Sequence, residues 1–176
     1  MREEIIVAGS GGQGIMLAGN IIARSALSSG KYTTFYPSYG AEMRGGTANC
    51  SVIVSDKEIG SPVISSPSVL LVMNEQSLIK YLPRVKKNGL VIVNSSLVKS
   101  YPDASIQVPA TGIAIELGDV RAANMVMLGR LIFGTNIFSK EIVTEVIKDV
   151  FKGKQEFVAE LNIKAFLKGN NYDKKS

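Results

Sequence analysis

Histidine is absent from the 176 residues, and cysteine occurs once, at Cys50. The first absence removes the commonest general base and every Ser-His or Cys-His nucleophilic arrangement. The second excludes an internal disulfide. Together they leave no ligand set for zinc or for an iron–sulfur cluster. Long apolar runs are missing too: none approaches the ~20 residues that a membrane-spanning helix needs. Met1-Arg2-Glu3-Glu4 enters a strand pattern at once and leaves no room for a signal peptide, so the expectation is a cytoplasmic protein without membrane attachment. The net charge of +5 comes largely from the C-terminal end, through Lys152, Lys154, Lys164, Lys168, Lys174 and Lys175. No basic stripe is interleaved with aromatics, so nucleic-acid binding is poorly supported and a solvated tail is expected.

What remains is ordinary globular material, 45% apolar and 20% charged, and long enough for one domain over residues 1–176 with a real core. Its organising stretch is Ile5-Ile6-Val7-Ala8-Gly9-Ser10-Gly11-Gly12-Gln13-Gly14. A buried strand runs into a glycine turn, and Ile15, Ala18, Gly19, Ile22, Ala23 and Ala26 follow at helical spacing. Gly9, Gly11 and Gly14 fit G-x-G-x-x-G at a strand-to-helix junction, which is the context that the motif requires. Backbone N–H groups at such a helix start point at an anion, so Gly9, Gly11, Gly12, Gln13 and Gly14 are the candidate ligand-binding residues. The alternative is that these glycines only serve strand–helix packing.

Gly30 is placed as a helix C-cap, and Lys31 to Tyr36 reads as a second strand. A dinucleotide site would carry an acidic residue at the end of that strand. Here stand Tyr36 and Pro37, which argues against NAD or FAD. Pro37 to Gly46 shows no period and reads as a loop, with Tyr39, Met43 and Arg44 composed like an interface anchor. Such anchors, exposed, are expected to make the isolated chain self-associate as a homodimer or higher form.

Thr47 to Ser55 reads as a third strand, and Asp56 to Pro62 as a turn into a short hairpin partner. Val69–Met73, Leu90–Asn94 and Ser105–Val108 are further strands, with a short helix over Glu75–Leu82 stopped before Pro83. From Ala110 the chain is helical: Ala110–Gly118, Val120–Phe133, a helix N-capped by Ser139, and Gln155–Leu167, ended by Gly169-Asn170-Asn171. Met125 and Met127 read as core filler. Alternating helices and near-continuous apolar strands predict an α/β, Rossmann-like three-layer sandwich. It has a mainly parallel sheet, one or two antiparallel strands and a helical C-terminal part.

The glycine turn, the run Pro37-Ser38-Tyr39-Gly40-Ala41-Glu42-Met43-Arg44-Gly45-Gly46-Thr47-Ala48-Asn49-Cys50, Ser55 to Pro62 and Asn124 to Gly129 together resemble one known family. The chain is similar to the gamma subunit of 2-oxoacid:ferredoxin oxidoreductases, including the pyruvate/ketoisovalerate gamma subunits, and most closely to the 2-oxoglutarate type. The resemblance covers nearly the whole chain. It implies an enzyme of anaerobic metabolism that oxidatively decarboxylates a 2-oxoacid with coenzyme A to an acyl-CoA and reduces ferredoxin. It also implies thiamine diphosphate, magnesium and [4Fe-4S] clusters, and alpha, beta and ferredoxin-like delta partner subunits.

Those cofactors find no ligands in this chain. Cysteine clusters are absent, and Gly118-Asp119 continues with Val120 instead of completing a thiamine signature. The redox chemistry is therefore expected on partner subunits, with no catalytic residue here. The resemblance assigns Gly9, Gly11, Gly12, Gln13 and Gly14 to the coenzyme A side, and Tyr39, Gly40, Glu42, Met43, Arg44, Gly45 and Gly46 to a subunit-facing loop. Two other readings are a free-standing Rossmann-like nucleotide-binding protein and an assembly module whose glycine turn only packs.

Overall fold

The computed structural model describes residues 1–38 and 47–173. Among these, six strands form one sheet in the order β2-β3-β1-β4-β5-β6, with β1 at Arg2–Ser10, β2 at Tyr32–Ser38, β3 at Thr47–Ser55, β4 at Val69–Val72, β5 at Leu90–Asn94 and β6 at Ile106–Val108. Five strands point one way, and β3 alone runs against both of its neighbours, β1 and β2. Among the described residues the six α-helices are α1 (Ile15–Ser28), α2 (Glu75–Tyr81), α3 (Ala110–Glu116), α4 (Ala123–Thr135), α5 (Lys140–Val150) and α6 (Glu156–Asn170).

The strands are apolar on both faces because both are covered. Ile5, Val7, Cys50, Val52, Leu71 and Ile92 turn to α1 and the C-terminal helices, forming the larger core with Met125, Leu128, Leu131 and Phe166. Ile6, Ala8, Ile53, Leu70, Val72 and Val93 turn the other way, onto Leu78 and Tyr81 of α2 and onto Ile64 and Val98. The one-residue alternation divides each strand between two cores. Met125 and Met127 are fully buried, as core filler should be.

Four local expectations change. The antiparallel element is β3 itself, and residues 56–68 form no strand; Pro62 and Pro67 remove two ladder donors there. Strand β2 extends through Pro37 and Ser38. The Asp56 N–H donates to the Met1 carbonyl at 3.1 Å, which fixes the β1–β3 alternation so that Ser51, Ile53 and Ser55 aim their backbone groups at β2. Their partners there are Tyr36, Thr34 and Tyr32, so the backbone groups of Thr33, Phe35 and Pro37 point to the open edge. A proline whose missing N–H faces outward takes nothing from the ladder. The Val120–Phe133 helix begins instead as a 3-10 turn over Val120–Ala122, with α4 from Ala123. Finally, α6 runs through Gly169 to Asn170. Gly169 does not end it, because α4 crosses α6 there. A Cβ on Gly169 would lie 1.8 Å from the Val126 carbonyl oxygen, and one on Gly129 would lie 2.0 Å from that of Phe166. Two glycines let the helix backbones touch.

The topology has one switch point. From β1 the chain passes through α1 towards β2 on one side, while β4, on the other side, leads into α2 on the opposite face of the sheet. The crevice between the carboxyl ends of β1 and β4 is where open α/β sheets bind ligands.

Candidate functional site

That crevice is built by the glycine turn. The Gln13 N–H donates to the Ser10 carbonyl at 3.2 Å and closes a four-residue turn, and Gly12 at its third position has φ +86°. Gly14 is also left-handed, at φ +70°, and a Cβ there would collide with the Asn124 side chain. Asn124 Nδ2 instead donates to the Gly14 carbonyl at 3.1 Å, tying α4 to the start of α1. This joins two stretches that the sequence set 110 residues apart.

The five glycine-turn residues do not play equal parts. Gly9 is enclosed, with Gln13 Oε1, Ile15 and Met73 all within 2.9 Å of a Cβ placed there. Gly11 and Gly12 face open space, with no described atom within 4 Å of such a Cβ. Gln13 folds back on the turn: its Oε1 accepts the Ser10 N–H at 2.7 Å and an Asn74 Nδ2 hydrogen at 3.3 Å. Asn74 also donates to Ser10 Oγ at 2.6 Å and caps α2 by accepting from the Ser77 N–H. The side chains of Gln13 and Asn74 thus hold the switch point rigid. No side chain caps α1, whose first turn carries the positive end of a four-turn helix dipole.

Beside the turn lies a cavity of about 200 Å³ lined by Gly12, Gln13, Met73, Leu97, Thr111 and Arg121, among others. Its far wall is organised by Asn94, fully buried at the end of β5. Asn94 Nδ2 donates to Thr111 Oγ1 at 2.9 Å and to the Met73 carbonyl at 3.4 Å. Its Oδ1 accepts from the Ser96 and Thr111 N–H groups. One carboxamide therefore fixes the loops that follow β4, β5 and β6.

Arg121 stands at the mouth and grips Asp119 through two nitrogens, at 3.0 and 2.7 Å. That pairing holds the Asp119 carboxyl below its ordinary range and raises Arg121. The pair is solvated, so it orients the guanidinium more than it stabilises the fold. Arg121 also borders a second groove of about 330 Å³ with Leu17, Phe151, Lys154 and Phe157. Arg121 lines both hollows, and Phe151, Phe157 and Lys154 line the second.

Asn94, Thr111, Arg121 and Lys154 escaped the sequence reading. Only Arg121 had an early signal, standing three residues before the Asn124–Gly129 segment. The loop residues Tyr39, Gly40, Glu42, Met43, Arg44, Gly45 and Gly46 lie outside the described residues.

The arrangement can hold and orient an anionic, partly aromatic ligand. Redox chemistry needs other donors. Cys50 is buried beneath α1 and its Sγ lies 3.5 Å from the Ile15 carbonyl; burial pushes its thiol up to about 12. A protonated, enclosed thiol does not fit an iron–sulfur cluster, which takes thiolates. Among the described residues no three metal-ligating side chains come together. No described helix is long and apolar enough to cross a membrane.

Comparison with known proteins agrees with this geometry. Residues 4–172 match the family described as pyruvate ferredoxin/flavodoxin oxidoreductase. The 2-oxoglutarate synthase subunit KorC of Methanocaldococcus jannaschii is 40% identical over 179 residues, covering 96% of this chain and 92% of its own length. The chain also matches ketoisovalerate oxidoreductase VorA subunits, of which it spans about a third of the length. Among solved structures, the keto/oxoacid ferredoxin oxidoreductase gamma subunit of Geobacter sulfurreducens superposes with a TM-score of 0.84 at 33% identity, over 96% of this chain and 94% of that one. The 2-oxoglutarate:ferredoxin oxidoreductase of Magnetococcus marinus, solved with 2-oxoglutarate, coenzyme A and succinyl-CoA bound, has a TM-score of 0.85 at 27% identity. It is matched over 96% of this chain and 30% of its own.

Proposed function

The chain belongs to the pyruvate ferredoxin/flavodoxin oxidoreductase family, as a gamma subunit of the 2-oxoacid:ferredoxin oxidoreductase type, and from that premise we propose what its assembled enzyme does. It oxidatively decarboxylates 2-oxoglutarate with coenzyme A to succinyl-CoA and passes the electrons to ferredoxin. Thiamine diphosphate with its magnesium supplies the carbanion chemistry, and [4Fe-4S] clusters carry the electrons. Both reside on alpha, beta and ferredoxin-like delta subunits, because Cys50 is the sole cysteine and cannot ligate a cluster. The enzyme works in the cytoplasm. A free-standing nucleotide-binding protein is not favoured.

Residues 1–176 act as one domain with two tasks. The first is to hold the phosphates of coenzyme A. The open backbone of Gly11 and Gly12, the uncapped start of α1 and the Arg121 guanidinium converge at the switch point, with Gly9, Gln13 and Gly14 shaping the turn. The N–H groups and the dipole favour an anion, and the Arg121 guanidinium, held in place by Asp119, adds hydrogen-bond donors at the mouth of the cavity. The single observation that carries this reading is the open glycine turn at the crevice of a chain whose neighbour from Magnetococcus marinus was solved with coenzyme A. The second task is assembly, through Tyr39, Gly40, Glu42, Met43, Arg44, Gly45 and Gly46.

Reconstitution with candidate partners tests both tasks. The isolated chain should be colourless and inactive, and the complex should oxidise 2-oxoglutarate faster than pyruvate or ketoisovalerate when coenzyme A and an electron acceptor are present. Iron and sulfide in the cleanly purified single chain would overturn the division of labour. Arg44→Ala should leave the fold within ~0.5 kcal/mol of wild type while weakening assembly by about 2 kcal/mol. Loss of folding together with assembly would make the loop structural instead.

A further inference from the structure

Among the described residues strand β2 is an outer strand of the sheet, and its outer edge is of an unusual kind. The seven residues Tyr-Thr-Thr-Phe-Tyr-Pro-Ser carry no charge, whereas free edges are commonly guarded by lysines or inward charges. Two tyrosines stand exposed on one face of it, Tyr32 at 48% and Tyr36 at 60%. Between them Thr34 Oγ1 is shielded from solvent yet has no hydrogen-bond partner among the described residues.

The alternation established above leaves the N–H groups of Thr33 and Phe35 pointing outward. On either side the supply of donors stops. Pro37 has no N–H, and that of Lys31 is spent on the Ala26 carbonyl at 2.9 Å. A second β2 laid antiparallel about a two-fold axis can use both free donors in the register centred on Thr34. There Thr33 faces Phe35 of the other copy and Phe35 faces Thr33, closing four backbone hydrogen bonds. A shift by two residues, with Thr33 facing Pro37, still seats the four donors, on the Pro37 and Phe35 carbonyls. But it sets Tyr36 against Thr34 and parts the tyrosines, so the side chains select the register. In the Thr34 register Tyr32 of each copy stands opposite Tyr36 of the other. These are closely spaced, non-hydrogen-bonded positions, where aromatic pairs stabilise a sheet. The two Thr34 hydroxyls meet on the axis.

We propose that the β2 edge is a self-pairing surface, through which two copies of this chain join their sheets into one of twelve strands. Each of its features serves that occupant: the uncharged edge, the bounded pair of donors, the tyrosines four residues apart and the orphan hydroxyl midway. The proposal is independent of the coenzyme A reading.

Sedimentation of the full chain at micromolar concentrations is the test, with circular dichroism and thermal melting to verify the fold of each variant. Wild type should be a dimer. Tyr32→Lys with Tyr36→Lys sets lysine against lysine at both crossings and should raise the dimer Kd at least tenfold. Tyr32→Lys with Tyr36→Glu sets lysine against glutamate at both and should restore it, which only an antiparallel register centred on Thr34 allows. A separate variant, Thr34→Cys, should form an intermolecular disulfide on mild oxidation, in the single chain and in the reconstituted complex. A monomeric wild type, a dimer indifferent to the two lysines, a lysine–glutamate variant that stays monomeric, or a folded Thr34→Cys chain that does not cross-link would each overturn the proposal.

Discussion

Placing a carboxylate at Gly12 separates a phosphate-holding turn from a merely structural one. Gly12 adopts φ +86°, and a Cβ there meets nothing within 4 Å among the described residues. Gly12→Asp therefore carries no clash, only the penalty of a left-handed backbone, about 1 kcal/mol. A negative charge beside the start of α1 returns roughly 0.3–1 kcal/mol. Stability should thus change by about 1 kcal/mol at most. A phosphate seated on the turn would meet the new charge at ~5 Å. With an effective dielectric constant between 20 and 80, the repulsion is roughly 1–3 kcal/mol. The KM for coenzyme A should rise about fivefold to a hundredfold, and less at high ionic strength, which screens exposed charges. Gly12→Ala, with the same backbone penalty and no charge, should stay within about threefold of wild type. The assay is steady-state turnover of the reconstituted enzyme at saturating 2-oxoglutarate with coenzyme A varied, then the converse. A folded, assembled Gly12→Asp enzyme with unaltered coenzyme A kinetics would refute the phosphate site. An equal rise in both KM values would indicate general damage instead.

Three further outcomes are expected. Gly129→Ala drives a methyl group into the Phe166 carbonyl, and the obstacle is backbone; chemical denaturation should show a loss of about 2–4 kcal/mol, beyond what alanine's helix propensity returns. Asn94→Leu removes the donors and acceptors shared with Met73, Ser96 and Thr111; denaturation should register about 3 kcal/mol, and hydrogen exchange should speed up in the loops after β4 and β6. Cys50 should resist a thiol reagent until the chain unfolds. Its thiol is raised from 9.0 to about 12 by burial, so the unfolded state ionises first. The stability it contributes is whole below pH 9 and is lost as pH rises from about 9 towards 12. Denaturation between pH 9 and 11 should show a flatter decline for Cys50→Ala than for wild type.

Sequence patterns that depend on near neighbours were readable. The glycine turn, the doubly apolar strands and the Ser139 cap, which accepts from the Ile142 N–H at 3.4 Å, are all short-range signals. What the pattern hid depends on which elements become neighbours. Pro37 reads as a strand breaker until β2 is known to be an outer strand with that residue facing out. Gly169 reads as a helix stop until α4 is known to cross there. Residues 56–68 looked like a hairpin because Asp56 to Pro62 has turn chemistry, but antiparallel pairing had already been taken by Thr47–Ser55. Asn94 and Thr111 carry no local mark, and Arg121 has only its place near the Asn124–Gly129 segment. They converge only because the sheet order sets the ends of β5 and β6 beside the glycine turn.

The reversed strand β3 also dictates an order of events during synthesis. Strand β1 and strand β2 share no hydrogen bond, since β3 lies between them. When residues 1–38 have left the ribosome, the nascent chain holds two strands and a helix but no ladder to join them. Pairing waits for Thr47 to Ser55, which face Ser10 to Arg2 of β1 and, from Asn49 on, Ser38 to Tyr32 of β2. The glycine turn at the end of β1 therefore has no anchored strand beneath it through the first third of translation, and its geometry is set only when a later segment slides in between.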